Sequence, residues 1–338
     1  MRTSLPSIDS VLAEQRDCEP INTLHRLQQR GLDRPPLPGA GAGATLARWQ
    51  MLAAVGAHDL TLAKLYEGHT DAIAILAEAG MDAAAGLWAT WCAEAPAARL
   101  VLRHDVAGFT VSGRKAWCSG AAHVTHALVS CWNEAGKACL AAVALNQAGV
   151  SVTDEGWHAV GMAGSRSVDV VFVGAAVTLV GEADFYVARP GFWHGGAGVA
   201  ACWFGAAQAL GGALHAALAQ RLAAGQPVDV HRLTQLGEVD VALQATGALL
   251  REAAAQIDAA PRADGFARAM RVRLAVEQCA NTVLHAVGRA LGAGPLCKDA
   301  QLARLFADLP VFLRQSHAER DLEALGRAIT LEAAPWQL

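Results

Sequence analysis

The sequence is poor in charge. Asp, Glu, Lys and Arg make up 17% of its 338 residues, and the basic ones never gather into a run. A net charge of −4 and a pI near 6.3 leave no electrostatic footprint for a nucleic-acid backbone, so no nucleic-acid partner is expected. The eight cysteines include no CxxC and no pairing with HxxxH, which argues against a zinc site or a disulfide framework. Cysteines set in apolar stretches such as Ala201-Cys202-Trp203-Phe204 read instead as small buried hydrophobes in a reducing compartment. The N-terminal stretch carries Arg2, Asp9, Glu14, Arg16 and Asp17 and has no apolar h-region, so a signal peptide is not expected and a cytoplasmic location is.

What is abundant is apolar: 53% of residues are hydrophobic and the mean hydropathy is +0.26. Much of this is alanine, which favours helix and lets helices approach closely while burying little area each. A large helical core, extended by subunit burial, is the reading. From Gly195 to Ala219 no Asp, Glu, Lys or Arg occurs, a length that could span a bilayer. Gln208, His215, the Gly/Ala content and the lack of a flanking Lys and Trp belt favour a buried core helix, so no membrane partner is expected.

The pattern along the chain changes twice. Residues 1–86 read as helices, interrupted by a Pro-rich break at Arg34–Pro38; from Thr45 to Ala79, Leu46, Trp49, Leu52, Leu60, Leu65, Ile73 and Leu76 recur at helical spacing, and Gly80 is a stop signal. Residues 87–186 hold short β-type runs, among them Leu100-Val101-Leu102, Gly108 to Gly113, Ala127 to Trp132 and Val168 to Phe172. No long helix separates them, so an antiparallel barrel or sandwich is expected rather than a parallel sheet. Residues 187–338 return to helix in four segments, near 195–224, 230–259, 262–291 and 299–327, broken at Gly225-Gln226-Pro227, Ala260-Pro261 and Gly292 to Pro295. The Gly39-Ala40-Gly41-Ala42-Gly43 run follows Pro38 rather than a strand, so it reads as a connector, not a dinucleotide loop.

Gly113-Arg114-Lys115-Ala116-Trp117-Cys118-Ser119-Gly120-Ala121 is the most informative segment. It resembles the middle-domain signature of the acyl-CoA dehydrogenase superfamily, a G-x-K-x-W-[ST]-G run ending a strand beside the flavin. Gly161 to Ser167, then Val168 to Phe172, resembles that family's G-M-R-x-T-x-S loop and exit strand, and Phe204-Gly205-Ala206-Ala207-Gln208-Ala209 resembles the start of its first long C-terminal helix. The resemblance runs in the family's order along nearly the whole chain. It implies an α+β fold: an N-terminal helical domain (1–86), a middle antiparallel β-barrel or sandwich (87–186) and a C-terminal four-helix bundle (187–338). It also implies FAD as cofactor, with Trp117, Cys118 and Ser119 along the isoalloxazine. Arg221, in Arg221 to Pro227, sits where the family's pyrophosphate arginine crosses a dimer interface; Arg289, Gly292 and Gly294 take the place of its Q-x-x-G-G-x-G run. A homodimer or homotetramer is implied. Ala224, Arg289 and Ala293 depart from the family residues, and Trp91 to Ala97 keeps only the Glu94-Ala95-Pro96 part of a T-E-P-x-x-G-S-D run.

The larger departure is the base. The family abstracts an α-proton from an acyl thioester with a glutamate near the last helices. Here Leu313-Arg314-Gln315-Ser316-His317-Ala318-Glu319 occupies that stretch, with Gln315 at the glutamate position; the alternative position, near His194-Gly195-Gly196, also lacks a carboxylate. Tyr66-Glu67-Gly68-His69 mimics the motif but reads as a helix surface. His317 and Glu319, with Asp321 nearby, are the catalytic candidates, and Arg304 to Asp308 followed by His317 resembles the pattern of flavin monooxygenases on this fold, where a histidine assists oxygen chemistry. Breadth of resemblance ranks α,β-dehydrogenation of an acyl thioester first, on CoA or a carrier protein and with an electron acceptor. A monooxygenase fed reduced flavin by a partner reductase comes second, and a degenerate binding or assembly protein third.

Overall fold

The computed structural model describes residues 7–16, 18–95, 97–330 and 336. Arg2 and Asp17 of the charged N-terminus and Pro96 of the Glu-Ala-Pro element lie outside them. The elements run helix, strand, helix, and the class is α+β. Contacts divide the chain into two compact units: Met1–Pro35 with Lys64–Phe192, and Pro36–Ala63 with Trp193–Leu338.

In the first unit, α1 (Ile8–Glu14) starts on the Ser7 side chain and α2 (Pro20–Gln29) on Pro20, whose missing N–H costs nothing at a helix start. The Thr45–Ala79 run folds as two helices, α3 (Ala44–His58), which falls in the second unit, and α4 (Leu60–Glu78), most of which falls in the first. Asp59 divides them: its backbone is extended and its carboxylate accepts the Leu62 N–H at 2.7 Å, a helix-starting bond. At the far end Gly80 (φ +72°) turns the chain while Met81 N–H reaches back to the Leu76 carbonyl. The last turns of α4 bury Ala72, Ile75 and Leu76 against Trp88, Leu128, Leu140 and Val180.

Among the described residues seven strands follow: β1 (Trp88–Trp91), β2 (Leu100–Asp105), β3 (Gly108–Cys118), β4 (His126–Trp132), β5 (Ala138–Ala144), β6 (Val150–Val152) and β7 (Val168–Leu179). β4 pairs with β2, β2 with β3, β3 with β7, β7 with β5 and β5 back with β4, so five strands close a ring. The pairings are antiparallel except where β4 meets β1 and β2, which are parallel. The expected loose hairpin at 131–139 is β4 and β5 with Cys131 opposite Cys139.

Tyr66-Glu67-Gly68-His69 is not a helix surface: Tyr66, Glu67 and His69 are buried. His69 Nδ1 accepts the Trp88 N–H at 3.0 Å, so its proton is on Nε2, which donates to Asp33 at 3.2 Å. The histidine ties α4 to the start of β1.

In the second unit, α6 (Gly191–Ala223) is, among the described residues, the one helix long and apolar enough to cross a membrane, and 72% of its apolar window is buried inside the protein. α3 crosses it at backbone distance. A Cβ on Gly56 would lie 2.2 Å from the Cys202 carbonyl oxygen, and one on Gly205 would lie 1.9 Å from that of Ala53. α7 (Val230–Ala259) and α8 (Phe266–Leu291) pack together, and Asp258 at the end of α7 accepts the N–H groups of Gly39 and Thr45 and the Thr45 hydroxyl. The Gly39–Gly43 run is thus a connector pinned at its ends. The expected fourth helix, 299–327, is in fact α10 (Ala300–Phe312), a 3₁₀ turn at Leu313–Gln315 and α11 (Glu319–Ile329); a short α9 (Ala293–Lys298) precedes it, and α5 (Phe185–Ala188) precedes α6.

Gly205→Ala should therefore destabilise the protein by about 1–3 kcal/mol through overpacking, read as a lowered urea midpoint. Gly212→Ala, where a Cβ meets nothing within 4 Å, serves as the control and should be neutral or stabilising.

Candidate functional site

A strand buries alternate residues, so Lys115 and Trp117 would share a face of a regular β3. They do not. The register of β3 against β7 shifts between Lys115 and Cys118, and Trp117 takes φ +59° at this bulge. The extra residue turns Trp117 outward, 49% exposed, and puts both Lys115 and Cys118 inside with no exposure. A left-handed backbone costs a non-glycine residue about 1–2 kcal/mol, so the surrounding structure must hold it. Two bonds do so next to the bulge: Ser119 N–H donates to the Trp117 carbonyl, and Gly120 N–H to that of Ser165.

Beyond the bulge Ser119 is buried, and its Oγ is 2.8 Å from Ser167 Oγ, which is 2.9 Å from Ser165 Oγ. Ser165 Oγ in turn donates to the Met162 carbonyl at 2.8 Å. Ser119 also lines a narrow slot with Lys64, Leu65, Gly68, Trp88, Thr90 and Trp91. Residues 161–167 were singled out as a loop, but their hydroxyls were not read as a continuation of Ser119. The Ser-x-Ser spacing at 165–167 was the available signal.

Lys115 was missed as a buried residue. Its Nζ donates to Glu94 Oε1 at 3.0 Å and to Ser130 Oγ at 2.6 Å; the Ser130 hydroxyl donates to the same carboxylate, and Trp132 Nε1 donates to its other oxygen at 3.1 Å. Burial works to raise the Glu94 pKa, but the Ser130 hydroxyl and the Lys115 charge outweigh it and hold the carboxyl below its usual value. Cys118 faces inward with Sγ 3.3 Å from the Lys115 carbonyl oxygen; burial pushes its thiol far up, and that of Cys92 up to about 12, so neither is a thiolate nucleophile at neutral pH.

In the second unit the break at 313–318 is tied down from α8. Arg273 donates to the carbonyls of Gly196 at 2.8 Å and Gln315 at 2.7 Å, and its guanidinium lies over the Trp203 ring. Glu277 accepts from Arg314 and from the Ser316 hydroxyl, each at 2.5 Å. Gln315 is half-buried. His317 is exposed, with its N–H on Asp321 at 3.0 Å and Nδ1 3.4 Å from the same carboxylate; Glu319 is exposed at the first turn of α11. Of the remaining candidates, Arg221 is exposed and donates to the Pro227 carbonyl, and Arg289 is exposed near the end of α8. Gly292 (φ +68°) ends that helix, and Gly294 lies in α9. The structure thus places Trp117, Cys118 and Ser119 at one bulge and Gln315, His317 and Glu319 around one break.

No family model and no curated protein matches the sequence. Solved structures do match, over nearly all of the chain. FMN-bound TdsC from Paenibacillus sp. A11-2 superposes with TM-score 0.78 at 16% identity, covering 96% of each chain. Methanesulfinate monooxygenase MsuC from Pseudomonas fluorescens gives 0.78 at 17%, covering 99% of this chain and 98% of its own. Nitrososynthase from Micromonospora carbonacea var. africana gives 0.77 at 19%, with 96% and 94%. The chain has the acyl-CoA dehydrogenase fold. TdsC and MsuC are flavin monooxygenases on that fold, and the nitrososynthase shares it.

The depressed Glu94 pKa carries a stability prediction. Its contribution is complete above the ordinary glutamate value of 4.5 and is lost as pH falls through the lower folded value. Glu94→Gln should flatten the acid limb of the urea midpoint against pH; an unchanged limb would show the carboxylate contributes nothing there.

Proposed function

We propose that this protein is a flavin-dependent monooxygenase that takes reduced FMN from a separate reductase and oxygenates a small organic substrate. The observation that carries the reading is the β3 bulge, which turns the Trp117 ring outward beside the buried Ser119 hydroxyl on a fold shared with FMN-bound TdsC. The donor set fits a flavin ring: an exposed aromatic plane can cover a tricyclic ring, and a hydroxyl two residues away can meet its polar edge. FMN is favoured over FAD because the departures from the resembled family, Ala224, Arg289 and Ala293, fall on the positions that serve an adenylate half which FMN lacks. By the same resemblance Arg221 and Arg289 offer guanidinium groups of the kind that bind phosphate, and Gly292 and Gly294 allow close backbone approach.

Bound reduced flavin supplies the electrons that activate dioxygen. The chain's own residues do the rest. Trp117 holds the ring and keeps water from one face. His317, turned by Asp321 so that Nδ1 faces the carboxylate, leaves Nε2 as the ring nitrogen that can hold or move a proton. Gln315, in the place of the family glutamate, cannot take an α-proton from a thioester, which weighs against the dehydrogenase reading. Within the same proposal the three domains 1–86, 87–186 and 187–338 are kept, and a homodimer or homotetramer covers the exposed Leu222, Val230, Leu233 and Val241 of α6 and α7.

The test combines the protein with FMN, NADH, a flavin reductase and ¹⁸O₂, with sulfide, indole and amine substrates. One ¹⁸O atom in product is the expected result. Bleaching of oxidised flavin by an acyl-CoA thioester without oxygen would overturn it in favour of dehydrogenation. Trp117→Gly, which relieves the left-handed strain and removes the ring, should leave the melting temperature nearly unchanged and weaken FMN binding by roughly tenfold or more, measured by fluorescence titration.

A further inference from the structure

Each serine hydroxyl carries one proton, so a chain of hydroxyls has a direction once one end is fixed. Here one end is fixed. The Met162 carbonyl has no proton, and its oxygen lies 2.8 Å from Ser165 Oγ, so the Ser165 proton must lie between them. Ser165 can then only accept in its 2.9 Å contact with Ser167, and Ser167 spends its proton there. Ser167 in turn can only accept at 2.8 Å from Ser119, and the Ser119 proton points inward. Ser165 and Ser167 are almost fully buried, so water offers them no ready alternative. What Ser119 has left for any other neighbour is a lone pair.

The structure assigns Ser165 and Ser167 as positioning residues that make Ser119 a hydrogen-bond acceptor, and so select the redox state of the flavin bound beside it. This rests on the flavin reading above. The resemblance of residues 113–121 implies that the Ser119 hydroxyl lies at the N5 edge of the ring, and N5 is the atom that changes character with redox state. It bears a lone pair in oxidised flavin and an N–H in reduced flavin. An inward-pointing Ser119 proton favours the N–H and sets two lone pairs against each other in the oxidised form. The selection comes from three side chains at 119, 165 and 167, two of which need not touch the flavin at all.

The test is anaerobic titration of the full-length protein with oxidised FMN and with dithionite-reduced FMN, in wild type, Ser167→Ala, Ser165→Ala and Ser167→Thr. Wild type should bind the reduced form tighter by about tenfold, the size of one hydrogen bond gained against one opposed. Ser167→Ala removes the inward acceptor and lets Ser119 donate outward. Ser165→Ala acts differently: Ser167 loses its acceptor and turns its proton on Ser119, with the same outcome. Both should bring the ratio of the two dissociation constants towards one or below, mainly by gaining affinity for oxidised FMN, and Ser167→Thr should restore it. A purely structural role would weaken both redox states alike and leave the ratio unchanged. An unchanged ratio in both alanine variants, or a wild-type preference for oxidised FMN, overturns the assignment while the flavin reading stands. Failure of wild type to bind either form overturns both.

Discussion

An ammonium group with no solvent exposure must recover its lost hydration from the protein, and Lys115 does so from one carboxylate, one hydroxyl and one backbone carbonyl. That requirement organises the end of β3. Glu94 comes from the segment after β1 and Ser130 from the middle of β4, so the cation fastens three separate pieces of chain. With Lys115 anchored inward, the bulge that follows can place Trp117 on the outside and Cys118 inside. Only the lysine end of the pair is buried, since the Glu94 side chain stays 33% exposed, so solvent screening reduces the pair below the worth of a fully buried one. A local left-handed residue is tolerable because its neighbours two positions before and after it are both immobilised, Lys115 by charge and Ser119 by the serine chain.

The second unit uses the same device at the 313–318 break. α8 carries Arg273 and Glu277 one turn apart, and between them they hold the Gln315 carbonyl, the Arg314 guanidinium and the Ser316 hydroxyl. A broken helix exposes backbone groups that need partners, and here side chains from a continuous helix provide them. Ala318, at φ +47°, marks the turn where the chain re-enters helix. His317 thus stands on a loop whose two sides are fixed, and its orientation depends on Asp321 one turn later.

Much of the fold was legible because its evidence was distributed. The segments 113–121, 161–167 and 204–209 recur in one order, and the change from helix to strand to helix is written in periodicity alone. For the candidate site, composition named residues and said nothing of their geometry. Nothing in Gly-Arg-Lys-Ala-Trp-Cys-Ser announces an extra residue in the strand, since lysine reads as a surface residue and gave the alternation the wrong phase. The partners that bury it, Glu94 and Ser130, are 21 and 15 positions away. The break at 313–318 was invisible for a similar reason: local pattern continues through it, and only Arg273 and Glu277, some forty residues upstream, make it affordable. The choice between dehydrogenation and oxygenation never lay in the fold. It lay in single residues such as Gln315, whose meaning depends on register.

The closed circuit of β4, β2, β3, β7 and β5 has a colloidal consequence. A sheet edge is a template on which another chain can add a strand, and aggregation begins there. Among the described residues the join of β2 to β4 is the single pair Val101–Trp132, so the rest of β2 is left unpaired on that side, as are the outer sides of β1, four residues long, and β6, three residues long. A chain with so little charge has weak electrostatic protection against self-association. Its β-rich unit is guarded instead by the shortness of the stretches left open, on β1, on β6 and beyond Val101 on β2.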